Sequence, residues 1–443
     1  MKLSVYVQGR DVAILEQEGD FKSVVTYHAN TATNDFVSLT MPVRTESWIW
    51  DDTLPPVLQM NLPEGYLLQV LQEQFGPVVG SNPIALLSVV GRNMVGRVQV
   101  AAPEAKLDES AEPVEVAEIL QGDNSEEAFA ALVRQHATSG VSGIVPKFLD
   151  SQLQHVTLGQ HQKAALLTRR HIIKGASHRL PFVTLNEHLC MQVAAKLLPT
   201  AKTEISNDGQ ALIVHRFDVD SQGGLYWGME DFCALLGLRP AAKYETTWER
   251  IAKAVHDLVP GDQQLDTFRK LTTMLLLTHA LRNADCHAKN IALLYTSRAD
   301  VHLAPVYDML TTNVYANYEN NPPGISFMGK KTWNPGKNLE KFIATVFGIK
   351  RSEQVAMVDA ITQAVSDTGP AVRAAMKDHP NFADTGKRML HTWQEGIASL
   401  RDKHTYSLGT VSLGESFTGF SDPPKLKGEK SEVGRSELLG ERK

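Results

Sequence analysis

The stretch Asn283-Ala284-Asp285-Cys286-His287-Ala288-Lys289-Asn290 decides how this chain is interpreted. Eighteen residues after its last amide comes a second acid, Asp308, within Pro305-Val306-Tyr307-Asp308-Met309. Between them, two apolar-rich segments, 291–295 and 301–305, flank a polar run, a pattern that predicts a β-hairpin. Such a hairpin returns the chain to its starting point, so the two acids and the amide are predicted to lie side by side.

The side chains in this pattern suit the transfer of a phosphoryl group from ATP. Mg²⁺ is a hard cation that prefers oxygen ligands, so Asn290 and Asp308 are the predicted metal ligands. Asp285 is the predicted catalytic base, which orients an acceptor hydroxyl and takes its proton. Protein kinases place a catalytic Asp, an Asn and a second Asp at this spacing. The alternative is that Asp285 and Asn290 are ordinary polar loop residues and that His287 is a structural histidine.

A buried helix is predicted to lead into this loop, because apolar residues recur before it at helical spacing. They are Leu265, Phe268, Leu271, Met274, Leu275, Thr278 and Leu281. The loop would therefore be attached to a rigid element.

The composition is typical of a globular protein, with 43% apolar and 21% charged residues in 443. No apolar run approaches the roughly 20 residues of a membrane span, and Met1-Lys2-Leu3-Ser4-Val5 does not resemble a signal peptide, so we expect no membrane partner and a cytoplasmic location. The net charge of −6 argues against direct binding to the phosphates of DNA. The three cysteines, at 190, 233 and 286, are too widely spaced to suggest a disulfide framework or a zinc site.

The order of predicted elements suits a small β-rich lobe followed by a larger helical one. Strands are expected at 3–7, 12–15, 24–27 and 36–40, and helices at about 66–75 and 115–121. The predicted units are a β-rich N-terminal subdomain (1–104), an acidic linker or helical segment (105–135), a small lobe (136–230), a helical large lobe (231–406) and a disordered tail (407–443).

The small lobe contains candidates for a nucleotide site. The segment 139–147, Ser-Gly-Val-Ser-Gly-Ile-Val-Pro-Lys, offers two glycines whose backbone N–H groups can approach phosphate oxygens, although surface turns often have this composition. Lys174 ends a short apolar strand, which would direct its ammonium at the α and β phosphates. Thirteen residues later, Glu187 begins a predicted helix capped near Asn186 and is the candidate partner of Lys174. A solvated lysine and an unpaired glutamate are the alternatives.

The predicted strand 211–215 leads to a charged exit, 216–218, where adenine would bind. Backbone groups of His215 and Phe217 would contact the base, and Asp218 would accept from a ribose hydroxyl. Alternatively, Arg216 and Asp218 form a structural ion pair.

Taken together in their order, these motifs resemble those of the HipA family, bacterial serine kinases that act as toxins in type II toxin–antitoxin modules. The resemblance covers residues 1 to about 400. Its motifs are Asn61-Leu62-Pro63-Glu64-Gly65, Gly91-Arg92-Asn93-Met94-Val95-Gly96, Ser142-Gly143 with Pro146-Lys147, Lys174, Arg216-Phe217-Asp218, Lys243-Tyr244-Glu245, the loop 285–290 and Tyr307-Asp308.

The resemblance implies an α+β, two-lobed protein-kinase-like fold with an additional N-terminal subdomain. It also implies phosphorylation of a protein serine with ATP and Mg²⁺, with an aminoacyl-tRNA synthetase as the family's typical target and growth arrest and persistence as the result. A HipB-like helix-turn-helix antitoxin would hold the chain inactive and supply the contact with DNA. Carried over residue by residue, Asp285 and His287 are catalytic, and Asn290 and Asp308 bind metal. The nucleotide-binding positions are Ser142, Gly143, Lys147, Lys174, His215, Phe217, Asp218 and Tyr307.

The chain departs from the family pattern at a few positions. The family phosphate loop carries a serine that the kinase phosphorylates in itself; its first serine is replaced here by Gly140, so Ser142 is the stronger candidate and Ser139 the second. Val145 stands where Gln is usual, Cys286 where Gly is usual and Asn93 where Asp is usual. The catalytic residues are all present, which favours an active kinase.

Two other functions fit the sequence. One is a weakly active binding module that serves as a co-repressor or restrains another toxin. The other is a kinase for a small molecule, which the match of the N-terminal subdomain disfavours.

Overall fold

The computed structural model describes residues 1–19, 22–51, 54–63, 68, 70–71, 82–103, 105, 107, 114–139, 165–175, 178–316 and 318–420. Within this part of the chain, no helix combines the length and apolar character needed to cross a membrane.

The N-terminal subdomain is an antiparallel five-stranded sheet with helices on one face. Its elements are β1 (Lys2–Val7), β2 (Arg10–Glu18), β3 (Lys22–Tyr27), β4 (Trp48–Trp50), α1 (Pro56–Gln59), α2 (Pro83–Val90) and β5 (Val98–Ala101), with the strands in the order β4-β3-β2-β1-β5. Gln8 and Gly9 both have positive φ, at 50° and 76°, as a two-residue hairpin between β1 and β2 requires. Buried residues of the sheet, such as Val5 and Leu15, pack against Leu58 of α1 and Leu87 of α2.

The strand predicted at 36–40 is wrong, because this segment forms only a single bridge, from Ser38 to Met41. The ring of Phe36 stacks on Tyr295 in the large lobe at 5.4 Å between centroids. The apolar residues that suggested a strand are therefore buried against another part of the molecule rather than in a ladder.

The small lobe is a four-stranded sheet between two sets of helices. Its elements are α3 (Val116–Gln121), α4 (Glu126–Ser139), β6 (Ala165–Leu167), β7 (His171–Gly175), α5 (Val183–Ala195), β8 (Thr203–Ile205) and β9 (Ala211–His215), in the order β6-β7-β9-β8. Ile173 and Ile213 pack against Phe129 of α4, whereas Leu212 and Val214 face α5 and the main core. The predicted boundary at 135 lies inside α4.

The large lobe is mainly helical. Its elements are β10 (Gly228–Asp231), α6 (Phe232–Leu235), α7 (Trp248–Leu258), α8 (Gly261–Leu281), β11 (Ala292–Ser297), β12 (Asp300–Leu303), α9 (Lys337–Phe342), α10 (Arg351–Asp378) and α11 (Ala383–Arg401). The strands form a sheet in the order β10-β11-β12. Helix α8 packs on α10 and α11, and every residue from Leu271 to Leu281 is buried, as the apolar spacing predicted.

Disorder was predicted from residue 407 onward, and for 407–420 this is wrong. Leu413 and Phe417 are buried, and the guanidinium of Arg373 on α10 donates to the carbonyl oxygen of Ser416 at 2.8 Å. These few apolar anchors lie among Gly, Ser and Glu, so the low average hydrophobicity hid them. Residues 421–443 lie outside the described part of the chain.

Candidate functional site

The loop after α8 is held by its own backbone and by a neighbouring segment. The helix ends at Leu281, and Arg282 follows with a left-handed φ of 53°. The backbone N–H of Ala284 donates to the hydroxyl of Thr312 at 2.7 Å. The side-chain amide of Asn290 donates to the carbonyl oxygen of Asp285 at 2.9 Å, closing the loop across the predicted spacing. Asp285 is 2% exposed and Asn290 4%, so both side chains are fixed in a buried setting.

Lys174 joins the two lobes through two ion pairs. Its ammonium lies 2.7 Å from the carboxylate of Glu187 and 2.5 Å from that of Asp308. Burial alone would lower the pKa of this ammonium, but Asp308 and Glu187 together outweigh burial and raise it above its ordinary value. The lysine is therefore charged at every physiological pH, and it orients the acid that the sequence assigned to the metal.

Asp308 returns to the catalytic loop through the predicted hairpin. Strands β11 and β12 pair antiparallel, and Asp308 then adopts a left-handed φ of 59°. The hydroxyl of the preceding Tyr307 donates to the carbonyl oxygen of Lys289 at 2.7 Å. An αL conformation is unusual outside Gly, Asn and Asp, and here it directs the carboxylate toward Lys174.

His287 is an uncharged wall of this site. Burial lowers the pKa of its imidazole to about 4, although Asp285 and Asp308 act in the opposite direction. Its Nε2 is 3.8 Å from a carboxylate oxygen of Asp285, and its Nδ1 is buried without a hydrogen-bond partner among the described residues. The ring of Tyr244 meets it edge-on at 4.9 Å. The imidazole is neutral at pH 7 and shapes the surroundings of Asp285.

The donor atoms fit a hard divalent cation. Because the nitrogen of the Asn290 amide is bonded to Asp285, its oxygen remains as a ligand atom beside the carboxylate of Asp308. Among the described residues no three His, Cys, Asp or Glu side chains converge, so a cation here would depend on the amide oxygen and on phosphate oxygens as well. This set suits Mg²⁺ far better than Zn²⁺.

The predicted hinge differs from its expected roles. Arg216 donates to both carboxylate oxygens of Asp218, at 3.1 and 2.6 Å, and the N–H of Gly96 donates to the second of these oxygens at 2.7 Å. The structure therefore favours the alternative interpretation, a buried structural ion pair, over a contact of Asp218 with ribose. The N–H of His215 donates to Lys202 at 2.9 Å in the sheet, and its imidazole pairs with Glu204. That backbone donor is therefore not available to a base.

Phe217 lies beside an apolar cluster at the mouth of the site. Its ring is 5.9 Å from that of Tyr307, and it packs with Trp227 and Met229. Trp227 and Met229 were not predicted, because the residues before β10 carry no motif that marks them.

Two polar residues of the site were missed or misplaced by the sequence reasoning. Asn186 is not the cap of α5, which begins at Val183 after Phe182 at a φ of 55°. Its buried amide bonds both the N–H and the carbonyl of Thr311, at 2.9 Å each, which ties α5 to the segment after Asp308. Tyr244 donates its hydroxyl to Asp285 at 2.5 Å.

The predicted phosphate loop is outside the described residues. Ser142, Gly143 and Lys147 fall there, and Ser139 is the last residue of α4 with its side chain undescribed. Their roles remain predictions.

Known proteins resemble this chain over most of its length. A putative kinase of Sinorhizobium fredii (strain NBRC 101917 / NGR234), Y4mE, is 28% identical over 74% of this chain and 80% of its own length. A second putative kinase of that strain, Y4dM, is 26% identical over 60% of this chain and 64% of its own length. A solved structure described as the Shewanella oneidensis MR-1 toxin–antitoxin system HipA, HipB and its operator DNA complex superposes with a TM-score of 0.63, at 18% identity, over 91% of this chain and 98% of that chain.

The superposition establishes a shared α+β fold with kinase-like lobes and the additional N-terminal subdomain. Residues 3–101 match the HipA N-terminal domain, and residues 139–369 match the HipA-like C-terminal domain. Because the second match alone spans more than half of the 443 residues, the chain belongs to the HipA family.

Proposed function

We propose that this chain is an ATP- and Mg²⁺-dependent protein kinase that phosphorylates serine or threonine and acts as the toxin of a toxin–antitoxin module. The observation that carries the proposal is the meeting of Lys174, Glu187 and Asp308 beside the loop that holds Asp285 and Asn290. A lysine from the small-lobe sheet paired with a helix glutamate is an arrangement that active protein kinases use.

Each residue has a role that follows from its position. The ammonium of Lys174 would bind the α and β phosphates, and Asn290 and Asp308 would hold Mg²⁺, which neutralises phosphate charge when bound. Asp285 would orient the acceptor hydroxyl and receive its proton as the hydroxyl oxygen bonds to the γ phosphorus and ADP leaves. The loop containing Ser142, with Ser139 as the second candidate, would cover the phosphates and carry the self-modified serine.

Regulation and target would follow the family. The partner would be a HipB-like helix-turn-helix antitoxin, which would supply the contact with operator DNA that a chain of net charge −6 is poorly suited to make alone. The target would be a protein of translation, such as an aminoacyl-tRNA synthetase, and its modification in the cytoplasm would arrest growth and favour persistence.

The test is phosphate transfer from labelled ATP into lysate proteins, followed by mass spectrometry of the kinase and its products. Asp308→Asn and Asp285→Asn should each reduce transfer by about 10²-fold or more, because the first removes a metal ligand and the second the base. Chelation of Mg²⁺ with EDTA should abolish transfer. The matched control is Asp359→Asn, which removes an exposed acid paired with Arg401 outside the site.

Full activity of Asp308→Asn would contradict the metal assignment. Transfer to a metabolite but to no protein would replace the proposal with a small-molecule kinase. Phosphate found only on tyrosine would contradict the serine or threonine specificity.

A further inference from the structure

The carboxylate of Asp285 is already bonded to a hydroxyl group of the chain itself. Tyr244 donates to Oδ1 of Asp285 at 2.5 Å. Asp285 is 2% exposed, whereas Tyr244 is partly exposed, so the phenol ring lies between the buried carboxylate and the surface. A general base must be within hydrogen-bond reach of the hydroxyl that it deprotonates. The phenol hydroxyl satisfies that geometric condition.

The backbone of Tyr244 is fixed on both sides. The carbonyl of the preceding Lys243 accepts from the N–H of Ala288 in the catalytic loop at 3.1 Å. The carbonyl of Tyr244 accepts from the ammonium of Lys331 at 3.0 Å, and the same ammonium donates to Gly324 at 2.7 Å.

Gly324 in turn lies against the catalytic loop so closely that a side chain would not fit. A Cβ at this position would collide with the carbonyl of Cys286 and lie 2.9 Å from that of Ala284. The N–H of Trp248 also donates to Ser326 at 3.0 Å, which joins the segments 244–248 and 324–331. The two segments therefore form one rim around Asp285, and the side chain of Tyr244 can move by rotation about its own bonds without moving that rim.

We propose that Tyr244 is the gate of the acceptor site: its hydroxyl holds the place of the acceptor hydroxyl on Asp285, and an acceptor must displace it before phosphate is transferred. This inference rests on the proposed kinase function. It gives Tyr244 a role in specificity, since an acceptor has to replace both the hydrogen bond and the contact of the ring with His287. It also keeps water from Asp285 when no acceptor is present.

The consequence is a wasteful reaction in a variant without the hydroxyl. In Tyr244→Phe the ring remains against His287, but the carboxylate loses its phenol donor. A water molecule can then bond to Asp285, pass its proton to the carboxylate and attack the γ phosphorus, giving ADP and phosphate.

The experiment compares full-length wild-type protein, Tyr244→Phe and a control, Tyr406→Phe. The control removes a phenol hydroxyl bonded to Gln354 outside the site. ADP release from MgATP without acceptor should rise about tenfold in Tyr244→Phe, the factor that a hydrogen bond to a charged group typically contributes. The KM for dephosphorylated casein as acceptor should fall, and the affinity for MgADP, measured by calorimetry, should stay unchanged. Tyr406→Phe should match the wild type in all three.

The outcomes separate the gate from the kinase function. If all proteins bind MgADP but Tyr244→Phe hydrolyses ATP no faster than the wild type, or loses kcat with KM unchanged, the gate is refuted while the nucleotide site stands. If no protein binds MgADP, the proposed function fails and the gate fails with it. Faster hydrolysis in Tyr244→Phe alone supports both.

Discussion

Lys174 is the residue on which the charge balance of the site depends. Its ammonium separates two carboxylates, those of Glu187 and Asp308, and the first of these side chains is only 3% exposed. In Lys174→Met the two acids lose their shared cation, so stability should fall by about 3 kcal/mol, as when a buried ion pair loses one partner. The affinity for MgADP should fall roughly 10- to 100-fold through the lost charge-assisted hydrogen bonds.

Urea unfolding and calorimetry measure these two effects. The matched control is Lys253→Met, because Lys253 forms an exposed pair with Asp257 and its side chain is 76% exposed. Such pairs contribute little to stability. Equal stability and equal MgADP affinity in the two variants would show that the network around Lys174 has no special role.

Residue roles that follow from spacing could be predicted, whereas roles that depend on a distant partner could not. Asp285, Asn290 and Asp308 are close in the chain or joined by one hairpin, and the structure brings them together. Asp218 was assigned to ribose because its second partner, Gly96, is far away in sequence. A sequence shows which side chains can accept a hydrogen bond, but not which of several donors reaches them first.

At the scale of elements, regular patterns were reliable and irregular segments were not. The strands around the turn Gln8-Gly9, the hairpin of β11 and β12, and helix α8 follow alternation or helical spacing and were predicted. The segments 36–40 and 407–420 lack regular pairing and are ordered by contacts with other parts of the chain. Their order is a tertiary effect, which local patterns do not report.

The contact between α8 and α11 should be sensitive to a single methyl group. At Gly396 of α11, an added Cβ would collide with the carbonyl oxygen of Ala280 and lie 2.7 Å from its carbon. Gly396→Ala should therefore destabilise the protein by about 3 kcal/mol, an overpacking cost that exceeds the gain of roughly 1 kcal/mol in helix propensity. Because α8 carries the catalytic loop, kinase activity should fall with stability.

Chemical denaturation tests this, with Gly261→Ala as the control. Gly261 is the first residue of α8 and an added Cβ there meets no atom within 4 Å, so this variant should be unchanged or slightly more stable. A Gly396→Ala protein as stable as Gly261→Ala would mean that the helices can separate without cost.

For the whole molecule, the decisive feature is a polar junction between the N-terminal subdomain and the lobes. Arg97 is 2% exposed and donates to the carbonyl of Thr296 in β11 at 2.9 Å. Its guanidinium also lies 4.5 Å from the ring centre of Phe36. Arg216 donates to the carbonyl of Met94 at 2.8 Å. Buried polar groups of this kind are costly unless all are bonded, so the subdomain has one favoured position on the lobes.

Glu230 is the titratable group of this junction. Its carboxylate accepts from the hydroxyl of Ser38 at 2.6 Å, the N–H of Leu39 at 2.7 Å and the hydroxyl of Tyr295 at 2.8 Å. Burial raises the pKa of Glu230 from 4.5 to about 7, although these three hydrogen bonds act in the opposite direction. The folded protein therefore binds this proton more tightly than the unfolded chain does.

The sign of the resulting pH dependence follows from linkage. Stability from Glu230 is fully present below about pH 4.5 and is lost as the pH rises to about 7, a total of about 3 kcal/mol. In Glu230→Gln this titration is absent, so the stability of the wild type relative to the variant should fall between pH 4.5 and 7 and then level off. Urea midpoints measured from pH 4.5 to 8 give the comparison, with Glu16→Gln, an exposed acid of β2, as the control. Parallel curves for wild type and Glu230→Gln would show that the carboxylate stays ionised in the junction, held by its three donors against the effect of burial.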